Sequence, residues 1–308
     1  MRITVTAEEA GTRIDKLIVK HVVGIGRAQV KRLFERDRVH TVTASGRSRR
    51  AQKGEVCETG QVVEVDVEEQ TAAALPDPSV ELSIVLETDK VVVIDKPAGQ
   101  PSAPLEPGEK GTAANGLVAR FPEMATIGFS PREPGLCHRL DTDTSGLLLA
   151  ARTIEAFTTL TGGLRERKID KRYLLLCAEA DLPDTGSIDI PIAPHPKDRR
   201  RVLACLHPRD VARENPRPAT TTFKVLSRHG EVALVEAVAA RALRHQIRAH
   251  FAAIDHPLYG DALYGGGSLT GLRRHALHAH RIAWPGDAVV PAFVAMSPLP
   301  EELAQFVG

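Results

Sequence analysis

Apolar residues recur at helical spacing twice near the start of the chain: Ile14, Leu17, Ile18 and Val22, then, after Gly26, Val30, Leu33 and Phe34. Each set predicts an amphipathic helix. Thr12 and Asp15 have the spacing of a capping box at the start of the first. Arg27 and Lys31 lie four residues apart and share the polar face of the second. The period then drops to two. Val63, Val65 and Val67 alternate with Glu64 and Asp66, as in a half-buried strand. Thr71 to Ser79 has no period, holds Pro76 and Pro78, and reads as a linker.

Beyond it the pattern is strand-rich. Val91 to Ile94 is a β-branched run that ends at the turn signal Asp95-Lys96-Pro97-Ala98-Gly99. Leu147 to Ala151 and Leu174 to Cys177 read as buried strands. Between them Phe157, Leu160 and Leu164 share a helical face, with Gly162-Gly163 weakening its end. Gly186 to Ile192 reads as a strand stopped by Pro191. Thr220 to Leu226 and Ala233 to Ala239 form a hairpin through Arg228-His229-Gly230. Leu243, Ile247, Phe251 and Ile254 give a helical stripe over 241–251, with Arg241, Arg244 and Arg248 on a second stripe and Pro257 as the stop.

The length of 308 residues fits two domains, and 43% hydrophobic with 26% charged residues is an ordinary globular composition. Net charge is uninformative, with 40 basic against 39 acidic residues. Its distribution is not: basic residues bunch at 47–53, 165–172, 197–201 and 241–248, which favours a polyanionic partner. Cys57, Cys137, Cys177 and Cys205 are scattered without C-x-x-C spacing, against a zinc ribbon or a disulfide framework. With no signal-peptide pattern and no long apolar span, the chain is expected in the cytoplasm, off the membrane. Common dinucleotide, P-loop and zinc-hydrolase motifs are lacking.

The candidate chemistry centres on Cys137-His138-Arg139-Leu140-Asp141-Thr142-Asp143-Thr144-Ser145-Gly146, a polar stretch feeding straight into a buried strand. Strands hold such loops still. Taken alone, Asp141 reads first as a turn residue. Lys96 can meet phosphate or cap a loop, and Tyr173 can pack at a strand mouth or present its ring to a base. The arginines around Arg248 suit phosphate or a carboxylate. His275, His278 and His280 lack an acid or Cys pattern and read as polar or RNA-facing groups, with no metal site expected.

Taken in order, these pieces resemble the RluA family of RNA pseudouridine synthases. His138-Arg139-Leu140-Asp141-x-x-Thr144-Ser145-Gly146 is similar to its signature, preceded by Lys96-Pro97-Ala98-Gly99 and followed by Lys171-x-Tyr173. Gly186-x-Ile188-x-x-Pro191-Ile192, His245-Gln246-Ile247-Arg248-x-His250, Gly260-Asp261-x-x-Tyr264-Gly265 and Leu277-His278-Ala279 continue the series. The N-terminal pattern Gly11 to Leu17, Arg27 to Lys31 and Val39 resembles an S4-type RNA-binding domain. The chain departs from the family where Gly26 replaces a usual Ser, where Val42 to Gly46 replaces a Val-Asn-Gly turn, where Pro101 to Pro104 replaces Val-His-Pro, and where Arg241-Ala242-Leu243-Arg244 replaces Thr-Gly-Arg-Thr.

The resemblance implies an α+β fold around a mixed, largely antiparallel sheet with a central cleft, spanning 80–308, after an S4-like domain over 1–70 and a linker over 71–79. It implies conversion of uridine to pseudouridine in structured RNA by a monomer without cofactor or metal, ribosomal RNA ahead of transfer RNA. By position, Asp141 is the catalytic carboxylate, Arg248 its partner and Tyr173 the ring that packs on the base. Arg139 fills the vacated stack. His138, Lys171 and His245 belong to the RNA surface, as do Arg27 and Lys31 in the N-terminal domain. Two other readings compete: a catalytically retired RNA-binding or ribosome-assembly protein, and a hydrolase with Asp141 as general base. The hydrolase lacks an evident second carboxylate.

Overall fold

The computed structural model describes residues 1–22, 25, 27–42, 46–66, 73–239 and 243–308, with the backbone alone for 27–29. Gly26, Thr43 to Ser45, Val67, Arg241, Ala242 and the Arg27 side chain lie outside the described residues. The chain divides into two compact units, Met1–Gln70 and Thr71–Gly308.

In the first unit, β1 (Arg2–Thr4) is followed by α1 (Ile14–His21), α2 (Arg27–Glu35), β2 (Val39–Val42), β3 (Ser48–Arg50) and β4 (Val62–Val65). The strands form one sheet in the order β1-β4-β2-β3. Ile14, Leu17 and Ile18 of α1 and Val30 and Phe34 of α2 bury against Val39, Val63 and Val65. The apolar spacing therefore finds its helices. The capping box does not form: Arg13 is the N-cap residue, and its guanidinium is tied to Asp15 by two hydrogen bonds of 3.0 and 2.8 Å. Lys31 pairs with Glu35 one turn on, at 3.3 Å.

The second unit opens with β5 (Ser83–Glu87), β6 (Val91–Lys96), α3 (Ala113–Arg120) and β7 (Ser145–Ala151). It continues with α4 (Ile154–Arg165), β8 (Asp170–Ala178), β9 (Thr185–Asp189), β10 (Ile192–Pro194) and β11 (Val202–Ala204). After these come α5 (Pro208–Glu214), β12 (Thr220–His229), β13 (Val232–Val238), α6 (Gln246–Ala253), β14 (Leu277–Trp284), β15 (Phe293–Met296) and α7 (Glu301–Ala304). Among the described residues the main sheet has nine strands in the order β5-β6-β7-β14-β8-β13-β12-β9, with β15 on β14. Every pairing is antiparallel except β7 with β14. This is a mixed, largely antiparallel sheet in an α+β fold. The strands β10 and β11 form a separate hairpin.

Residues 73–79, expected as a linker, are held against this unit. The Ala74 N–H donates to the Pro131 carbonyl at 2.9 Å, and Asp77 accepts from the Gly111 N–H at 3.1 Å. Gly162 and Gly163 do not weaken α4 but lie inside it. A Cβ on Gly163 would come 2.5 Å from the Trp284 ring, so the glycine lets the helix rest on the indole. The helix expected over 241–251 starts later, at Gln246. His245 takes a left-handed conformation (φ 52), and the Gln246 side chain accepts from the Leu243 N–H at 3.0 Å, making a turn ahead of α6. Arg244 is thereby off the helix, and it does not share a helical face with Arg248.

Candidate active site

The polar stretch 138–144 is a loop entering β7, fixed from every side. Leu140 binds Ser102 twice: its N–H donates to the hydroxyl at 3.0 Å, and its carbonyl accepts from that hydroxyl at 2.8 Å. The Thr144 hydroxyl meets His275 Nε2 at 2.8 Å, and the Ser145 hydroxyl meets His278 Nδ1 at 2.9 Å. Arg274 donates to the Asp143 carbonyl and to Ser145 Oγ, both at 3.1 Å, and pairs with Glu302. Lys96, 0% exposed, donates to the carbonyls of Pro97, Gln100 and Thr142, at 2.9, 2.7 and 3.0 Å. The open question about this lysine is thus answered: it caps loops. Gly146 (φ 109) ends the stretch where a Cβ would lie 2.3 Å from the Ala279 carbonyl oxygen, so only glycine lets β7 run this close beside β14.

Asp141 rises from this frame with its side chain 22% exposed. Arg248, on α6, donates from Nη1 to Asp141 Oδ2 at 2.9 Å. The same guanidinium grips Asp261 with Nε and Nη2, at 2.7 and 2.9 Å. Arg248 is thus buried between two carboxylates, one of the two kinds of anion its arginine cluster suited. Burial opposes its charge, but the hydrogen bonds and charge of Asp261, then of Asp141, outweigh it and raise its pKa. Asp141 Oδ1 accepts no hydrogen bond among the described residues, and His245 Nε2 stands 3.8 Å away. Tyr173, 5% exposed on β8, lies close enough to Asp141 that burial and then that negative charge both raise its phenol pKa.

The remaining expected site residues divide. Arg139 is exposed and holds Glu133 at 2.7 Å. His138 accepts the Leu149 N–H on Nε2 at 3.1 Å, with Nδ1 buried and without a partner among the described residues, so it anchors the loop. Lys171 is 4% exposed and shares a strand face with Tyr173; burial lowers its pKa to about 8. His275 and His278 are buried under the loop, not on the surface, and His280 binds Glu236 at 3.1 Å. Lys31 belongs to the first unit. Two residues of the centre have no role assigned from the sequence: Asp261 and Tyr264. Their only signal was the Gly260-Asp261-x-x-Tyr264-Gly265 pattern, which names no role.

Asp261 also bears on the hydrolase reading, which needs a second working carboxylate. Both its oxygens are engaged by Arg248 and it is 1% exposed, so it is not available to activate a water.

Burial gives the site a pH signature. It lowers His275 and His278 to about 4, from an ordinary 6.5, so both are neutral when folded. The unfolded chain binds more protons between pH 6.5 and 4, and stability is lost on acidification through that window. Each imidazole is expected to forfeit about 2 kcal/mol by about pH 5. Thermal unfolding at about pH 7.5 and about pH 5 checks this. An unchanged midpoint would contradict neutral burial.

The family model for RNA pseudouridylate synthase matches residues 90–253. The chain is 34% identical over 264 residues to the "Ribosomal large subunit pseudouridine synthase D" of Xanthomonas campestris, covering 81% of this chain and 75% of that protein. To the protein of the same name from Nitrosomonas europaea it is 31% identical over 315 residues, covering 99% and 86%. The chain belongs to the RNA pseudouridine synthase family. The synthase also matches the solved structure of human RNA Pseudouridylate Synthase Domain Containing 1, with a TM-score of 0.55 and 25% identity over 75% of this chain and 95% of that one. Human RNA Pseudouridylate Synthase Domain Containing 4 shares the fold, with a TM-score of 0.56 at 24% identity over 73% and 91%. The synthase is an isomerase whose partner is RNA, and among its described residues no helix is long and apolar enough to cross a membrane.

Proposed function

We propose that this synthase converts uridine to pseudouridine in large-subunit ribosomal RNA, with Asp141 as the catalytic carboxylate. The observation that carries the assignment is the Asp141–Arg248 pair, in which one carboxylate oxygen is held at 2.9 Å and the other accepts no hydrogen bond among the described residues, in a partly open site. The reaction breaks the bond from uracil N1 to the ribose, turns the base, and joins C5 to the same ribose carbon. The C5 proton leaves and N1 gains one. An ionised carboxylate suits the ribose side of this exchange, as nucleophile, as stabiliser of positive charge, or as acceptor of a ribose proton. Oδ1 is the oxygen available for it. The neutral Tyr173 ring supports the detached base while it turns. Extruding the uridine from its helix costs a few kcal/mol, roughly, and the exposed Arg139 is suited to fill the gap.

The ribosomal assignment follows the names of the bacterial relatives. Purified synthase incubated with large-subunit ribosomal RNA or with transfer RNA tests it, with pseudouridines mapped by chemical probing. Modification confined to ribosomal RNA is expected. Modification of transfer RNA alone would transfer the assignment, and none on either would leave a catalytically retired binder.

The first unit serves, in this reading, as an S4-like RNA-binding domain acting with the catalytic unit in a cytoplasmic monomer. Its two helices on a four-stranded sheet and the exposed Lys31 support it. Deleting 1–70 is expected to weaken RNA affinity by about tenfold at low salt and by less at high salt, because phosphate contacts release counterions. Equal affinity at both salts would make the unit a packing module.

A further inference from the structure

The hairpin β10–β11 carries the loop His195 to Arg201, whose Lys197, Arg199 and Arg200 are exposed. The loop is fixed in place. Arg244 donates to the carbonyls of Arg199 and Arg200 at 2.9 and 2.7 Å, so the arginine set off from the usual family position latches it. The Arg201 guanidinium lies 5.3 Å from the centre of the Tyr264 ring, and Arg248 lies 5.2 Å from the same ring. Arg248 has two carboxylates. Arg201 makes no side-chain hydrogen bond or ion pair among the described residues, and its Nε is buried without a partner. A guanidinium in that state, at the root of a basic loop, lacks an anion. In an RNA enzyme the anion at hand is a phosphodiester.

The next residue connects this loop to the chemistry. The Val202 N–H donates to the Tyr264 hydroxyl at 2.8 Å. That hydroxyl faces His245 Nδ1 at 3.1 Å and the Val202 carbonyl at 3.4 Å. The phenol's one hydrogen has two takers, the Val202 carbonyl and the nearer Nδ1, and we assign it to Nδ1. An imidazole accepting on Nδ1 carries its own hydrogen on Nε2. Nε2 is the nitrogen that faces Asp141 Oδ1 at 3.8 Å, too long for a hydrogen bond but one small movement from it. His245 takes a left-handed backbone at φ 52 as the residue before α6, and its imidazole reaches both Tyr264 and Asp141.

We propose that Tyr264 is a positioning residue that couples phosphate binding on the 195–201 loop to the orientation of His245 against Asp141. The proposal rests on the RNA reading of the site and deepens it. A phosphate seated on Arg199, Arg200 and Arg201 loads the hairpin, Val202 carries the load to the phenol, and the phenol fixes which imidazole nitrogen faces the carboxylate. The synthase thereby completes its centre when RNA is in place.

A double-mutant cycle on the full chain tests this. The four proteins are the wild type, Tyr264→Phe, Arg199→Ala with Arg200→Ala, and all three substitutions together. Phe retains the ring and its packing against Ile192, Val202 and Ala249. RNA Kd and the single-turnover rate at saturating RNA are read for each. Tyr264→Phe is expected to slow the saturating rate about tenfold with Kd unchanged. The loop substitutions are expected to weaken Kd about tenfold in both backgrounds. They should slow the saturating rate about tenfold in the wild type and less than about twofold beside Tyr264→Phe. An equal rate loss in both backgrounds overturns the coupling, as does a saturating rate that Tyr264→Phe leaves unchanged. A wild type that forms no pseudouridine overturns the functional reading itself, and with an active wild type the cycle judges the coupling alone.

Discussion

Replacing Asp141 with Asn is expected to slow pseudouridine formation by about a thousandfold or more while leaving RNA affinity within about threefold. The substitution keeps shape and removes charge. In most buried ion pairs such a change strands the partner, and the fold suffers with the chemistry. Here Arg248 retains a two-pronged bond to Asp261, at 2.7 and 2.9 Å, and the Asn carbonyl can still accept Nη1. The loss of stability is therefore expected to stay under about 1 kcal/mol. Single-turnover kinetics beside filter binding separates these effects. Retained turnover would remove Asp141 from its role, and lost binding would make it a structural residue.

Arg248→Met is expected to behave differently, failing in both chemistry and stability. It strips the counterion from Asp141 and from Asp261, which is 1% exposed. A buried carboxylate left without its partner costs about 3–5 kcal/mol. The midpoint of urea unfolding should drop accordingly, and turnover should fall at least as far as in the Asp141 variant. Asp261→Asn, which leaves Arg248 one charged partner, should lie between the wild type and Arg248→Met in stability. If Arg248→Met unfolds within about 1 kcal/mol of the wild type, the pair of carboxylates is not the support described.

The sequence displays those parts of the site that are local. The motif around Asp141 is contiguous, and the strand after it is an unbroken apolar run, so loop and support read together. Arg248 is recognisable within His245-Gln246-Ile247-Arg248, but its surroundings are not. Helical spacing joins it to Arg244 on one basic stripe. The left-handed turn at His245 breaks that stripe, and a carboxylate 13 residues further on captures the guanidinium. Neither event has a periodic signature, because Leu243 stays on the apolar side whether or not the helix reaches it. The same holds for Gly162-Gly163, whose breaking tendency is overridden by an indole more than a hundred residues away. His275 and His278 look surface-like in composition, yet they are buried because Thr144 and Ser145 supply their partners. Tyr264 is visible only as a conventional motif member. Its link to Val202 and His245 exists only once the β10–β11 hairpin folds beside α6.

Pseudouridine formation in large-subunit ribosomal RNA through Asp141, as proposed, is read out by mapping pseudouridines in ribosomal RNA from cells that lack the chain, complemented with the wild type or with Asp141→Asn. Specific large-subunit uridines are expected to lose their modification in those cells, to regain it with the wild type, and not to regain it with Asp141→Asn. Restoration by Asp141→Asn, or no change at any ribosomal uridine, would contradict the proposal.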